Sequence, residues 1–435
     1  MRNSIFALSF LSLLGCTTTT NMAPTTESEF GSSPSLVEPD PQLIPTAKIA
    51  KAIGFDDGIV PRAADGWRIQ AFAQNLQHPR WLLDLPNGDI LVAETDAPKG
   101  SGGFAGIKGL VAKFMMRRGG SNLGSANQIR LLRDTDSDGE ADVSSVLIDN
   151  LHSPFGMAYS NGNLYVANTD SLVRFKYTLG ATGAASEPVV LTELPSAPFN
   201  HHWTKSLILD ESGENAYIGV GSNSNIAENG MKAELNRAAI LRYNLSSGEL
   251  SLFASGLRNP VGMAWHPATK ELWTVVNERD ELGDQLVPDY LTRVTEGGFY
   301  GWPLFYMGGN VDARVEAMGI SEGRTPLEPD YALGAHTASL GLDFYDHKLG
   351  DFTGAAIIGQ RGSWNRSEFS GYKVIAVPFN DGQAKDALPI TLLDGFLTQD
   401  GKARGRPVGI EVLRDGSILV ADDVANTVWR LSPKE

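Results

Sequence analysis

Apolar and polar positions along the chain repeat one arrangement about six times: a Pro-containing turn, an apolar strand, Asn/Asp-Gly, and a second apolar strand. The clearest copies are HPRWLLDLPNGDILVA, from His78 to Ala93, and PVGIEVLRDGSILVA, from Pro407 to Ala421. Between them stand Ser153–Ala158 with Leu164–Ala167, and Asn259–Ala264 with Leu272–Val275. Two looser copies begin near His202-Trp203 and Ser339-Leu340-Gly341. Asn87-Gly88, Asn161-Gly162 and Asp415-Gly416 are hairpin signals, because the tight turn needs positive φ at residues that tolerate it. A unit of two strands and a turn cannot bury both faces alone, so the copies must stack on one another. A spacing of roughly 50 to 80 residues leaves room for four strands per copy and fits propeller blades better than solenoid turns. The pattern predicts an all-β fold, a six-bladed β-propeller with four-stranded antiparallel blades. Thr427–Leu431 reads as an outer strand, and Trp67–Phe72 would pair with it to close the ring and remove exposed edges. No amphipathic helix longer than about three turns is visible; the best short candidate is Ala233–Ala238.

The chain has 435 residues, of which a propeller absorbs about 380 as one domain. Its net charge is −15 and it contains no Lys/Arg block, which argues against a nucleic-acid partner. Residues 1–15 read as an export signal, with Arg2 before the apolar stretch Ile5–Leu14. That stretch is too short to span a bilayer permanently. Leu13-Leu14-Gly15-Cys16 resembles a bacterial lipobox, in which the cysteine is lipidated, and Cys16 is the only cysteine present. Thr17 rather than Asp follows it, which by analogy with lipoproteins favours the periplasmic side of the outer membrane. Residues 16–54, rich in Thr, Ser and Pro, are expected to form a flexible tether, and 55–435 the propeller.

Insertions at about 97–128, 222–238, 277–300 and 312–336 mark loops expected at the channel mouth, where chemistry usually sits. Asp134, Asp136, Asp138 and Asp142, with Gly139 at position six, have the spacing that wraps oxygens around a calcium ion. Position twelve is Ser145 rather than a bidentate Glu; the bland alternative is a solvated acidic turn. A second acidic loop carries Asn277, Glu278, Arg279, Asp280, Asp284 and Asp289, and needs either solvent or a cation. Arg258-Asn259 and Arg404-Gly405-Arg406 sit at the starts of two copies. Arginines delivered by separate blades suit an anion with several carboxylates, though taken alone ordinary rim salt bridging is the commoner reading. His201-His202 opens another copy and offers a general base near neutrality, against the commoner structural histidine. P-loop, HExxH and GxSxG motifs are absent from the sequence.

From Gly66 to Leu431 these pieces resemble the soluble quinoprotein sugar dehydrogenases of the sorbosone/glucose dehydrogenase type. The phrases that carry the resemblance are NLQHPRWLLDLPNGDILVAE, HHWTKSLILDESGENAYIGVGSNSN, GLRNPVGMAWHP, GGFYGWP, RGSWNR and RGRPVGIEVLRDGSILVADD. The resemblance implies pyrroloquinoline quinone (PQQ), a flat tricarboxylate, held at the channel mouth with Ca2+. It assigns the catalytic histidine to His202, with His201 one residue away as the alternative. It assigns cofactor contacts to Arg258, Asn259, Arg404 and Arg406, and the calcium loop to Asn277, Glu278 and Arg279 through backbone carbonyls, with Asp280, Asp284 and Asp289 nearby. The family's fifth-blade lysine is missing here; Arg361 or Arg366 stands in that stretch, and Asn277 replaces a glutamine. The implied activity is oxidation of an aldose, sorbosone-like sugar or polyol by hydride transfer to the quinone, with electrons passing to a respiratory acceptor. Two alternatives remain open: a surface-binding propeller with a vacant cofactor site, and a calcium-dependent lactonase-like hydrolase.

Overall fold

The hairpin turns form as their residues require. A computed structural model describes residues 27–41, 46–99, 114–121, 123–183, 186–197 and 199–434. Gly88, Gly162 and Gly416 lie at φ 86, 74 and 81°. The turns fix the register of the strand pairs they join: Leu82 faces Val92, Tyr159 faces Leu164, and Ile410 faces Val420.

Among the described residues six antiparallel sheets follow one another as blades. Their first strands are Pro79–Asp84, Met157–Ser160, Lys205–Leu209, Pro260–Trp265, Ser339–Phe344 and Pro407–Val412. The ring closes as expected: Trp67–Ala73 pairs with Thr427–Pro433, so the segment leading into blade one and the last strand share blade six. First strands of neighbouring blades come very close. A Cβ on Gly262 would lie 2.5 Å from the Leu340 carbonyl oxygen, and one on Gly341 2.2 Å from that of Val408. The glycine that recurs in the repeat is therefore a packing requirement. Trp81, Phe155, Val261, Leu340 and Val408, each from the start of a different blade, form part of one buried cluster that plugs the centre. Trp203 from the remaining blade packs against it.

Two blades depart from the four-stranded expectation. Blade four gains Phe30–Gly31, paired with Tyr331–Ala335, and blade five gains Arg62–Ala63, paired with Ile390–Asp394. The first of these corrects the tether assigned to 16–54. Over its described part that segment is docked as a strap across blades four, five and six. Asp40 N donates to Leu282 O, Lys48 N to Trp364 O, and Lys51–Ala52 runs parallel to Lys402–Ala403. Backbone hydrogen bonds to loops distant in sequence hold it, so its own composition gave no sign of order. Cys16 and the export signal lie outside the described residues.

The helix expected at 233–238 reduces to a single 3-10 turn at Met231–Glu234, while a short α-helix forms at Ala313–Ala317, capped by Asp312. No helix of the described residues is long and apolar enough to cross a membrane.

Candidate active site at the propeller mouth

Antiparallel strands send their connections alternately to two faces. First-to-second and third-to-fourth connections share one face; second-to-third and blade-to-blade connections share the other. A cavity of ≈ 280 Å³ lies on the second face and is lined mainly by residues of those connections, together with Arg80 from the first strand of blade one and Ile49. The sequence drew its candidates largely from these positions.

One side of the cavity is cationic. Arg80, Arg361 and Arg406 come from blades one, five and six and all line it. Asp423, fully buried at the end of the second strand of blade six, accepts through Oδ2 from Arg80 Nη1 (2.9 Å) and Arg361 Nε (2.7 Å). Burial pushes the Asp423 carboxyl up, but Arg361, His78, Arg80 and Arg406 together hold it well below the usual carboxylate range. The arginines are under-compensated. Burial and the neighbouring Arg361 pull Arg80 down to about 10. Arg406 is also lowered, chiefly by burial, with Arg361 again opposing its charge. The Nε atoms of Arg80 and Arg406 are buried without a hydrogen-bond partner. Asp96, the other carboxylate of this sector, accepts from the backbone N–H groups of Ala97 and Leu123.

The opposite side holds the base. His202 Nδ1 lies 3.0 Å from Ser222 O, while Ser222 Oγ donates to Ser224 O. Nδ1 therefore carries the proton and Nε2 the lone pair. Burial first, then the charges of Arg258 and His201, lower the His202 pKa well below its ordinary value and keep the ring neutral. Gly221 permits this arrangement: a Cβ there would lie 2.4 Å from both His202 Cβ and Asn259 Oδ1. Asn259 Oδ1 is itself buried and unpartnered. His201 lines the cavity beside His202, ring centroids 4.9 Å apart.

Arg258 lies between base and acids, 2% exposed. Its guanidinium donates to Asn225 O and Oδ1, to the carbonyls of Asn277 (3.3 Å) and Glu278 (2.6 Å), and to Asp280 Oδ2 (3.2 Å). His336 Nδ1 stands 3.4 Å from the other oxygen of Asp280.

These contacts test the two groups that the resemblance implies. A flat organic polyanion fits, because buried guanidinium donors stand unused on one wall. A calcium ion at the 277–279 loop does not fit the loop as it stands. Two of the carbonyls assigned to it already accept from a fixed positive charge.

The expected site residues divide accordingly. His202, Arg258, Asn259, Asn277, Glu278, Asp280, Arg361 and Arg406 meet at one cavity. Arg404 does not; it lines a neighbouring cleft. Its N–H is held by Phe396 O of blade five, whereas that of Arg406 is held by Asp422 of blade six. Arg279 is also displaced. Its buried side chain donates to Glu278, Pro303 O, Phe305 O and Asp312, tying down the 294–330 insertion. That insertion joins the third and fourth strands of blade four, and the stretch expected at the mouth over 312–336 divides. Asp312 and Arg314 buttress the mouth loop from outside, 331–335 form the fourth strand, and His336 lines the cavity. Asp284 turns away to accept from Ser367. Arg366 leaves the cavity for Glu29 of the strap (3.4 Å). Asp134, Asp136 and Asp138 do converge, with one oxygen of each within 4.8 Å of the others, but they join the outer strands of blade one on the opposite face. Asp142 is not in that group; it accepts from Thr135 N and Oγ1.

The sequence reading missed Arg80, Asp423, His336 and Trp203. Arg80 had a usable signal. Superposed copies place it where four others carry the apolar Phe155, Val261, Leu340 and Val408 and the third carries Lys205, so cations at two of the six positions stand out from the apolar plug.

A family model described as TrAA12-like matches residues 125–290 and 323–434, well over half of the chain. The chain belongs to the TrAA12-like family. The resemblance drawn from its repeat phrases thus holds at family level. A curated relative, an uncharacterised protein of Borreliella burgdorferi, is 29% identical over 293 residues, covering 65% of this chain and 76% of its own length. The PQQ-dependent sugar dehydrogenase of Hypocrea jecorina is 21% identical over 314 residues, 66% of this chain and 67% of that protein. Among solved structures, the holo form of the pyranose dehydrogenase PQQ domain from Coprinopsis cinerea superposes with a TM-score of 0.68 at 18% identity. It covers 88% of this chain and 100% of that one, and shows the propeller fold.

Proposed function

We propose that this TrAA12-like protein is a quinoprotein oxidoreductase that binds PQQ at the propeller mouth and oxidises a hydroxyl-bearing sugar or polyol. The observation that carries the reading is the pair Arg80 and Arg361 sharing the Asp423 carboxylate, with Arg406 beside them, facing a neutral His202 across one cavity. Carboxylates of a planar acid suit guanidinium donors, which bind them through charge-assisted and often bidentate hydrogen bonds. In this reading those three arginines anchor the cofactor, while Arg258 and Asn259 face it from blade four. When bound, the quinone supplies the electron acceptor that no side chain provides.

The chain's own groups then divide the work. His202 Nε2 takes the proton of the substrate hydroxyl; Nδ1, fixed on Ser222 O, sets the tautomer and ring orientation. Arg258, held rigid by its carbonyl and Asp280 contacts, favours negative charge as it develops, without having to reorganise. The apolar plug under the mouth excludes water from below. Export through the leader, anchoring at Cys16 on the periplasmic side of the outer membrane, and a respiratory electron acceptor complete the proposal.

Relatives named as PQQ sugar dehydrogenases support the redox reading over a lactonase. So does the siting of the acids: Asp280 is paired with Arg258 and His336, and Glu278 with Arg279. The test is to add PQQ to purified protein and follow dye reduction with aldoses and polyols. Reduction that disappears in His202→Ala, with quinone still bound, is the expected result. Bound quinone with no turnover on any substrate would leave a binding propeller; lactone hydrolysis without quinone would make it a hydrolase.

A further inference from the structure

A second cleft opens on the same face as the mouth, along the outer part of blade five. It is a broad space of ≈ 870 Å³ lined among others by Arg62, Tyr372, Lys373, Asp394, Thr398 and Arg404. Its charges are not balanced among themselves. Arg404 makes no side-chain hydrogen bond or ion pair among the described residues, and its Nε is buried without a partner. Lys373 likewise has no salt bridge, and burial holds its ammonium below the ordinary value. Arg62 pairs with Asp394 Oδ2 at 2.7 Å, yet Asp394 Oδ1 is buried and unpartnered. Asp400 is engaged by Lys402 at 2.7 Å. Arg404, without a side-chain partner, and Lys373, drawn by Asp394 only from beyond salt-bridge distance, thus face the cleft together with a carboxylate oxygen that lacks a donor.

Half-buried charge with buried polar atoms left unpaired is costly unless a ligand answers it. A neutral sugar would satisfy Asp394 and leave the cations alone. Sulfate or phosphate would answer the cations and repel Asp394. We propose that the cleft binds a sugar acid, its carboxylate against Arg404 and Lys373 and a hydroxyl donating to Asp394 Oδ1. Tyr372 supplies an aromatic wall for the sugar body. That wall is shared with the mouth: Tyr372 Oη donates to Ser363 O at 3.2 Å, and the Arg406 guanidinium stands 5.5 Å from the Tyr372 ring centroid. Two sources share this chemistry. One is the aldonate formed when an oxidised aldose's lactone opens, which rests on the function proposed above; the other is a uronic acid residue of a glycan.

The test is calorimetric titration of quinone-free protein with gluconate, glucuronate, glucose and sulfate. At least one acid should bind, while glucose and sulfate do not. Tighter gluconate binding identifies the aldonate source and tighter glucuronate binding the uronate source. Arg404→Ala and Lys373→Met should each weaken binding by about tenfold or more, with an unchanged melting temperature as the folding control. Lys373→Met suffices if the arginine variant does not fold. Binding of neither acid, equal binding of sulfate, or unaltered affinity in the variants would overturn the proposal. Because no quinone is present, that failure is separate from any failure of cofactor binding at the mouth.

Discussion

Asp423 governs the charge arrangement of the mouth, because one buried carboxylate orients two guanidiniums. Replacing it by Asn leaves Arg80 and Arg361 buried and facing each other. Asp423→Asn should lower stability by about 3 kcal/mol or more, read as a shift in urea midpoint. Its folded pKa is depressed, so its stabilisation is fully present above the unfolded carboxylate value and is lost as pH falls through the acid range below about 4. His202 titrates with the same sign, its pKa lying well below the ordinary histidine value. The acid limb of kcat/KM should therefore fall well below the ordinary histidine value, since the base must be neutral to act; a limb at or above that value, about 6.5, would reassign the base. His202, Arg258 and Arg406 were legible because they sit at repeat starts, where chain position implies the mouth. Arg404 was misplaced because sequence proximity to Arg406 hides their attachment to different blades. Asp423 was illegible because its role depends on arginines hundreds of residues away.

Elements show the same division. Strands and turns follow from period-two apolar runs and Asn/Asp-Gly pairs, and the repeat glycines from inter-blade contact. Gly341→Ala should destabilise by about 2 kcal/mol, because its Cβ would lie 2.2 Å from the backbone oxygen of Val408. The docked strap was invisible, since short non-periodic segments declare themselves only through their partners. Ile49 lines the cavity, and Ala50 O accepts from Arg406 Nη2 at 3.4 Å. Deleting the strap up to residue 53 should leave the ring closed, because Trp67–Ala73 is retained. It should speed quinone release by about tenfold, as measured by stopped-flow displacement; unchanged release would show that the strap does not help retain the cofactor.

At the scale of the whole molecule, six similar units sharing one axis bring distant residues to one opening. That convergence makes a propeller mouth readable from order along the chain alone. Charge distribution follows the same geometry: an acidic protein of net −15 brings four arginines to its mouth, Arg258 on one side and Arg80, Arg361 and Arg406 on the cationic wall. The central claim is that the arginines of that wall form a seat for a planar polyanion beside a neutral histidine. The most direct measurement is titration of the purified chain with PQQ, followed by visible absorbance, in the wild type and in Arg80→Ala, Arg361→Ala and Arg406→Ala variants. The account predicts one quinone per chain, weakened in each variant, and bleached by sugar only when His202 is present. Failure to bind quinone, or binding indifferent to all three substitutions, would contradict it.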